Sequence, residues 1–259
     1  MIFQWWQTHR RDLPWRQTND PYKILISEVM LQQTQVRRVL PKYTEFIKLY
    51  PTVQSLATAS QGDILRVWKG MGYNRRALYL QKTAQEVVQQ FGGVFPKELS
   101  LLTKLPGVGT YTARAILVFA YKQHVAMVDT NIRQIITHLF FEDIPQKPSV
   151  IQEVADKLVP SGKSWEWHQA LMDYGALELS KLKLPKLHRK SSIPFKQSDR
   201  YVRGRIMDLL REQSFGENEL MQTMEKTYKK SNDKIHRILA GLLKDGLIIK
   251  KKSRIQLPE

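Results

Sequence analysis

The stretch that most constrains this chain runs from Leu102 to Asn131, LTKLPGVGTYTARAILVFAYKQHVAMVDTN. Within it, Leu105-Pro106-Gly107-Val108-Gly109 lies between two apolar runs of helical period, which predicts a tight hairpin opening onto a helix. Two glycines two apart let the backbone come close to a ligand, and the amides at the start of the next helix point the same way. That makes an anion site, with phosphate as the expected anion, although a lone GxG also occurs in ordinary turns. The helix over 110–121 carries Ala113, Ile116, Leu117 and Ala120 on one stripe. The apolar segment Val125 to Val128 then stops at Asp129, placed to cap a helix beginning near Asn131. Taken alone, Asp129 is as readily an N-cap as a functional carboxylate.

Composition narrows the partner. With 41 Lys and Arg against 24 Asp and Glu, the 259-residue chain carries +17 and has a pI near 9.9. Such a surface favours a polyanion, above all nucleic acid. Cysteine is absent, which removes disulfides, a thiol nucleophile and thiolate-held zinc or iron–sulfur clusters. No apolar run approaches the roughly 20 residues of a spanning helix, and no signal peptide is visible. The expectation is one or two domains in a soluble, cytoplasmic, nucleoid-associated protein that acts as a monomer, with no membrane partner, cofactor or metal.

Taken in order, Phe3 to His9 is an aromatic-rich helix ended by the turn at Arg10 to Pro14. Trp15 and Arg16 follow, a pair able to stack on a base and bond its edge, or equally a core tryptophan beside a solvated charge. Residues 21–50 are helical in period throughout. Embedded there is Glu28, with apolar neighbours on both sides. A carboxyl group in such a setting has its charged form disfavoured, so its pKa rises and it can serve as a general acid near neutral pH. Paired with Asp129 as a permanently ionised stabiliser, it supplies the two roles that glycosidic-bond cleavage needs. The turn Gly70-Met71-Gly72-Tyr73 either pushes Met71 and Tyr73 outward as wedges between base pairs or caps a helix over a core methionine. Further helices are expected over 81–91, 148–159 and 165–179. His168, in the last of these, is expected to be packed rather than a ligand.

Composition changes after Leu179. Residues 181–198 form a basic linker, so the domains are expected at 1–180, 181–198 and 199–259. Three helices, 200–212, 217–228 and 232–245, then a hairpin over 247–257, follow the order of a winged helix. Residues 183–259 hold 19 Lys and Arg against 9 Asp and Glu, which is +10 of the total. This suits a duplex-binding arm.

The strings LPWR, SEVMLQQTQV, GMGY, LPGVGTYTA, VDTN and MDYGA together resemble the helix-hairpin-helix DNA glycosylase superfamily, and within it the adenine-specific MutY family. The resemblance implies an all-α fold of two helical lobes around a cleft, here followed by a small winged-helix-like module with a short β-hairpin. It implies a monofunctional base-excision glycosylase that releases adenine mispaired with 8-oxoguanine or guanine in double-stranded DNA. Glu28 would protonate a flipped adenine and later activate water, and Asp129 would stabilise the sugar cation, with Tyr111 and Asn131 beside them. Trp15, Arg16 and Asp173 would hold the base. Gln33, Met71 and Tyr73 would fill or pry the stack, and Gly107, Gly109 and Thr110 would meet the backbone.

Where lyase relatives carry a lysine this chain has Tyr111, which cannot form a Schiff base. The loop before Asp129, Tyr121 to His124, lacks the family's Gly and Pro. The family's four-cysteine iron–sulfur loop has no ligand here, since cysteine is absent, and a winged-helix-like module is expected where the family carries its 8-oxoguanine-reading domain. A thymine glycosylase acting on G/T mismatches and a non-catalytic winged-helix DNA binder are the alternatives. The Gln32-Gln33 pair favours adenine, and the pairing of Glu28 with Asp129 speaks against a binder.

Overall fold

The computed structural model describes residues 1–181 and 194–259, so most of the expected linker lies outside the described residues. The described residues group into two units. One is Met1–Val36 with the described part of Gln89–Arg189; the other is Arg37–Val88 with the described part of Lys190–Glu259.

The first unit is built on α2 (Pro21–Leu31). Pro21 presets the first helical turn, and the Asp20 carboxylate accepts the N–H of Tyr22. Every residue from Ile24 to Met30 is buried, so the helix is enclosed on all sides and has no solvent face. The one carboxylate on that face-less helix, Glu28, is thereby carried inside. The same unit holds α1 (Ile2–His9), the single turn α7 (Leu99–Leu102), α8 (Thr110–Phe119), α9 (Thr130–Phe141), α10 (Pro148–Leu158) and α11 (Ser164–Leu177). The α2 helix packs on α8, while α11 packs on both α1 and α9. The α9–α11 approach depends on Gly175, because a Cβ there would lie 2.4 Å from the Cβ of Asn131.

The uninterrupted period over 21–50 is not one helix. It breaks after Leu31, Gln33 takes φ of +54°, and α3 (Val36–Leu49) starts afresh. The reason is a change of face: α2 is buried all round, whereas α3 turns only Val39, Tyr43 and Phe46 inward. The intervening Gln32 to Gln35 has no apolar side chain to hold either axis.

In the second unit α3, α4 (Val53–Ala57), α5 (Gln61–Val67) and α6 (Arg75–Phe91) contribute a core that includes Phe46, Leu56, Ile64, Leu65, Leu80 and a fully buried Trp68. To this belong α12 (Asp199–Glu212), β1 (Phe215–Gly216), α13 (Glu217–Tyr228), α14 (Asn232–Lys244), β2 (Ile249–Lys251) and β3 (Arg254–Gln256). The strands form an antiparallel sheet in the order β1-β3-β2. The two-residue loop between β2 and β3, Lys252 and Ser253, has both residues left-handed, as a hairpin turn matched to strand twist requires. This is the winged-helix order; β1 was not expected because two residues give no alternation to detect. The α12 helix packs on α5. Its Arg211, 7% exposed, donates to the Leu65 carbonyl at 2.9 Å and to the Asn74 side chain at 3.2 Å. A Cβ on Gly62 would come within 2.7 Å of the Pro258 carbonyl, so the chain end is seated directly on α5.

Candidate active site

A cavity of about 720 Å³ opens in the first unit and brings together Trp15, Arg16, Glu28, Gln33, Tyr111, Asp129 and Asn131. Glu28 is 4% exposed, and the phenol of Tyr111 donates to its Oε2 at 2.8 Å. Burial pushes the Glu28 carboxyl up to about 7; the Tyr111 bond opposes this and the charge of Asp129 adds to it. Both carboxyl-bearing residues line this one cavity. Burial also holds the Tyr111 phenol well above its ordinary value, so it stays a donor.

Asp129 is the N-cap of α9 as well as a cavity wall, so the two expected readings of it coexist. Its Oδ1 accepts the Ile132 N–H at 2.7 Å and its Oδ2 accepts from the Asn131 amide at 2.9 Å. Asn131 is therefore a direct partner of Asp129. Burial raises the Asp129 carboxyl, against these hydrogen bonds and the nearby Arg11. The side chain is buried, and the donors at the head of α9 partly offset the effect of that burial. What those donors do is stabilise the ionised form in place.

Trp15 and Arg16 sit in a 3-10 turn, Pro14–Arg16, and both line the cavity. Asp173 does not. It is fully buried, with Arg16 donating to both its oxygens at 2.7 and 2.8 Å, Trp6 donating at 2.8 Å, and Arg11 donating through its Nε and its backbone N–H. Burial alone would raise this carboxyl, yet the Arg16, Arg11 and Trp6 donors outweigh it and hold it below its ordinary value. Its place as a base-holding group is corrected accordingly: Asp173 fixes Arg16, and no oxygen of it faces the cavity. Neither Trp6 nor Arg11 was singled out in the sequence, and no spacing rule links them to a residue more than 160 positions away.

Met71 is also corrected. It is 2% exposed and packed in the second unit, so it is the core methionine of a helix end and not an outward wedge. Tyr73 is 40% exposed and left-handed, with φ of +46°. His168 is buried, donates from Nδ1 to the Ser164 carbonyl at 2.6 Å and accepts the Met127 N–H at Nε2, at 2.9 Å. Burial lowers it to about 4, which leaves a neutral packing residue, as expected.

At the hairpin, Leu105 and Val108 are buried and anchor it, while Gly107, Gly109 and Thr110 are exposed. Gly107 needs its glycine, since φ is +77°. Gly109 does not: its φ is −83°, and a Cβ there would meet nothing within 4 Å. It caps α8 with no side-chain acceptor, so the first amides of that helix are presented without a protein partner of that kind. Among the described residues, no group of three or more His, Cys, Asp or Glu is arranged to hold a metal ion.

Residues 26–161 match the model of the HhH-GPD superfamily base excision DNA repair proteins. The chain is 36% identical over 239 residues to an adenine DNA glycosylase of Mycobacterium tuberculosis, an alignment covering 83% of this chain and 78% of that one. It is 33% identical to an adenine DNA glycosylase of Mycolicibacterium smegmatis, covering 95% of this chain and 91% of the other. That second likeness extends into the C-terminal module. Among solved structures, a thermostable thymine-DNA glycosylase is similar at 34% identity with a TM-score of 0.66, covering 71% of this chain and 86% of that one.

Proposed function

The chain belongs to the HhH-GPD superfamily of base excision DNA repair proteins, and from that premise we propose that it is a monofunctional adenine DNA glycosylase acting on adenine opposite 8-oxoguanine or guanine. The target adenine leaves the stack, because its glycosidic bond and N7 are out of reach inside a duplex. It enters the cavity between Trp15 and the Glu28–Asp129 pair, with Arg16 held ready by Asp173. Protonated Glu28 gives its proton to N7, and the C1′–N9 bond breaks with its electron pair leaving on adenine. The sugar becomes an oxocarbenium ion, which the Asp129 carboxylate stabilises. Water then adds to C1′, and Glu28, now a carboxylate, takes its proton. The products are adenine and an abasic sugar, and Glu28 ends protonated as it began. Gln33 sits at the cavity rim, the exposed ring of Tyr73 on the second unit meets a disturbed stack, and the bare amides after Gly109, with Gly107 and Thr110, meet a phosphate.

One observation carries this reading: a carboxyl buried on an all-buried helix, lifted to about 7 and hydrogen-bonded by Tyr111. That is the acid needed near neutral pH, and a DNA binder has no use for it. A thymine glycosylase on G/T mismatches is the second reading, favoured by the likeness to the thymine-DNA glycosylase structure. Single-turnover base release from duplexes holding A opposite 8-oxoguanine, A opposite G and T opposite G separates the two, with Glu28→Gln as the control. Adenine release lost in Glu28→Gln supports the proposal, whereas thymine release with adenine spared overturns it. Inactivity on all three duplexes favours a binder. With tyrosine at position 111, borohydride is expected to trap no efficient covalent adduct, and such an adduct would overturn the monofunctional assignment.

A further inference from the structure

Around Tyr73 the second unit carries a cation–aromatic cluster whose arginines the chemistry above does not use. Its base is the turn after Trp68. Trp68 Nε1 donates to the Gly72 carbonyl at 3.0 Å, and Arg76 donates to the carbonyls of Met71 and Gly72 at 3.1 and 3.2 Å. These bonds fix the backbone and so fix the half-exposed ring of Tyr73. Over that ring, 4.3 Å from its centroid, lies the guanidinium of Arg200 at the start of α12; Arg76 stands 5.5 Å from the same ring. Phe195, 60% exposed, adds a second ring 5.9 Å from Arg200.

Two features separate this cluster from ordinary surface packing. Arg200 is exposed, and among the described residues none accepts a hydrogen bond from its guanidinium. A stacked guanidinium keeps its in-plane N–H fork, which matches two phosphate oxygens. Second, the two cations disfavour one another. Arg76 is lowered to about 10, first by burial, with Tyr73 opposing and Arg200 adding to the shift. An anion set against the pair relieves that repulsion. The rings beside it offer faces for an unstacked base.

We propose that Arg200, stacked on Tyr73 and flanked by Phe195, is a phosphate clamp of the C-terminal module that grips duplex DNA beside a distorted step. The proposal rests on the DNA glycosylase reading and deepens it, since it assigns the module's contact to one residue rather than to diffuse positive charge. Many other cations of the module are already engaged: Lys250 with Glu217, Lys251 with Glu259, Arg237 with Asp199 and Arg254 with Ser214.

The test is duplex affinity of the full chain between about 50 and 200 mM salt. The probe holds 8-oxoguanine opposite a 2′-fluorinated deoxyadenosine, whose fluorine destabilises the oxocarbenium ion and so resists cleavage. Arg200→Ala is expected to weaken binding about tenfold and to reduce the slope of log K against log salt by about 0.9, the share of one phosphate. Arg200→Lys is expected to restore the slope but not the full affinity, because it keeps charge and loses the planar fork. Phe195→Ala should weaken binding with the slope unchanged. The proposal is overturned if Arg200→Ala matches native protein in affinity and slope. It is equally overturned if affinity falls with no change of slope and a lowered thermal midpoint, which would make Arg200 a brace or a protein contact. Native protein that binds this probe but releases no base from the same duplex without fluorine would defeat the glycosylase reading alone, leaving the slope to decide on Arg200.

Discussion

Asp173 and Glu28 are both buried carboxyl groups in the first unit, yet their surroundings drive them opposite ways. Asp173 gathers two guanidiniums, an indole N–H and a backbone N–H, and is held below its ordinary value. Glu28 gathers one phenol and a neighbouring carboxylate, and rises to about 7. Burial is common to both; the supply of donors decides. A compensated carboxylate is a fixed structural charge, whereas an uncompensated one exchanges a proton near neutral pH.

The contrast is sharpest in kinetics. Glu28→Gln is expected to lower single-turnover adenine release about 10³-fold, some 4 kcal/mol of barrier, the middle of the range for a positioned acid. Its stability should move the other way. The folded-state value near 7 lies above the unfolded 4.5. The stability tied to protonated Glu28 is therefore full below about 4.5 and lost as pH rises through about 7. A pH series of chemical denaturation should find Glu28→Gln less sensitive than native protein across that window. Asp173 bends stability in the opposite sense, present above the ordinary aspartate value and lost as pH falls.

Asp173→Ala should cost about 3 kcal/mol of unfolding free energy, because it leaves Arg16 buried without its counter-charge. A loss near zero would break the comparison. Gly175→Ala forces a Cβ to within 2.4 Å of Asn131, so about 2 kcal/mol of overpacking is expected, together with a slower base release as Asn131 leaves Asp129. Tyr111→Phe should have the smallest effect. It removes the one hydrogen bond that lowers Glu28, and the alkaline limb of the rate profile, where Glu28 loses its proton, should move up by about one pH unit, worth 1.4 kcal/mol.

Some of this was legible in the sequence because the signal was local. The GVG hairpin, the N-cap at Asp129 and the apolar flanks of Glu28 each reside within about a dozen residues, and all emerge where the periodicity put them. The Asp173 cluster joins residues 6, 11, 16 and 173, and no spacing rule spans that separation. The base-holding role expected of Asp173 rested on the resemblance alone. Met71 misled for another reason: a Gly-flanked methionine turns outward or inward according to what its tertiary neighbours leave open, and here they admit it to the core. The seating of the C-terminal chain on α5 depends on Gly62 accepting the Pro258 carbonyl, a contact with no periodicity at all. Because Arg37–Val88 shares a unit with that module, single substitutions test the module more cleanly than truncation does.

The most direct test of the account is the pH dependence of single-turnover adenine release from a duplex with adenine opposite 8-oxoguanine. If Glu28 is the acid, the rate holds on the acidic side and falls about tenfold per pH unit once pH passes about 7. A rate that stays level from about pH 6 to 9, or a Glu28→Gln protein with the same profile as native, would contradict it.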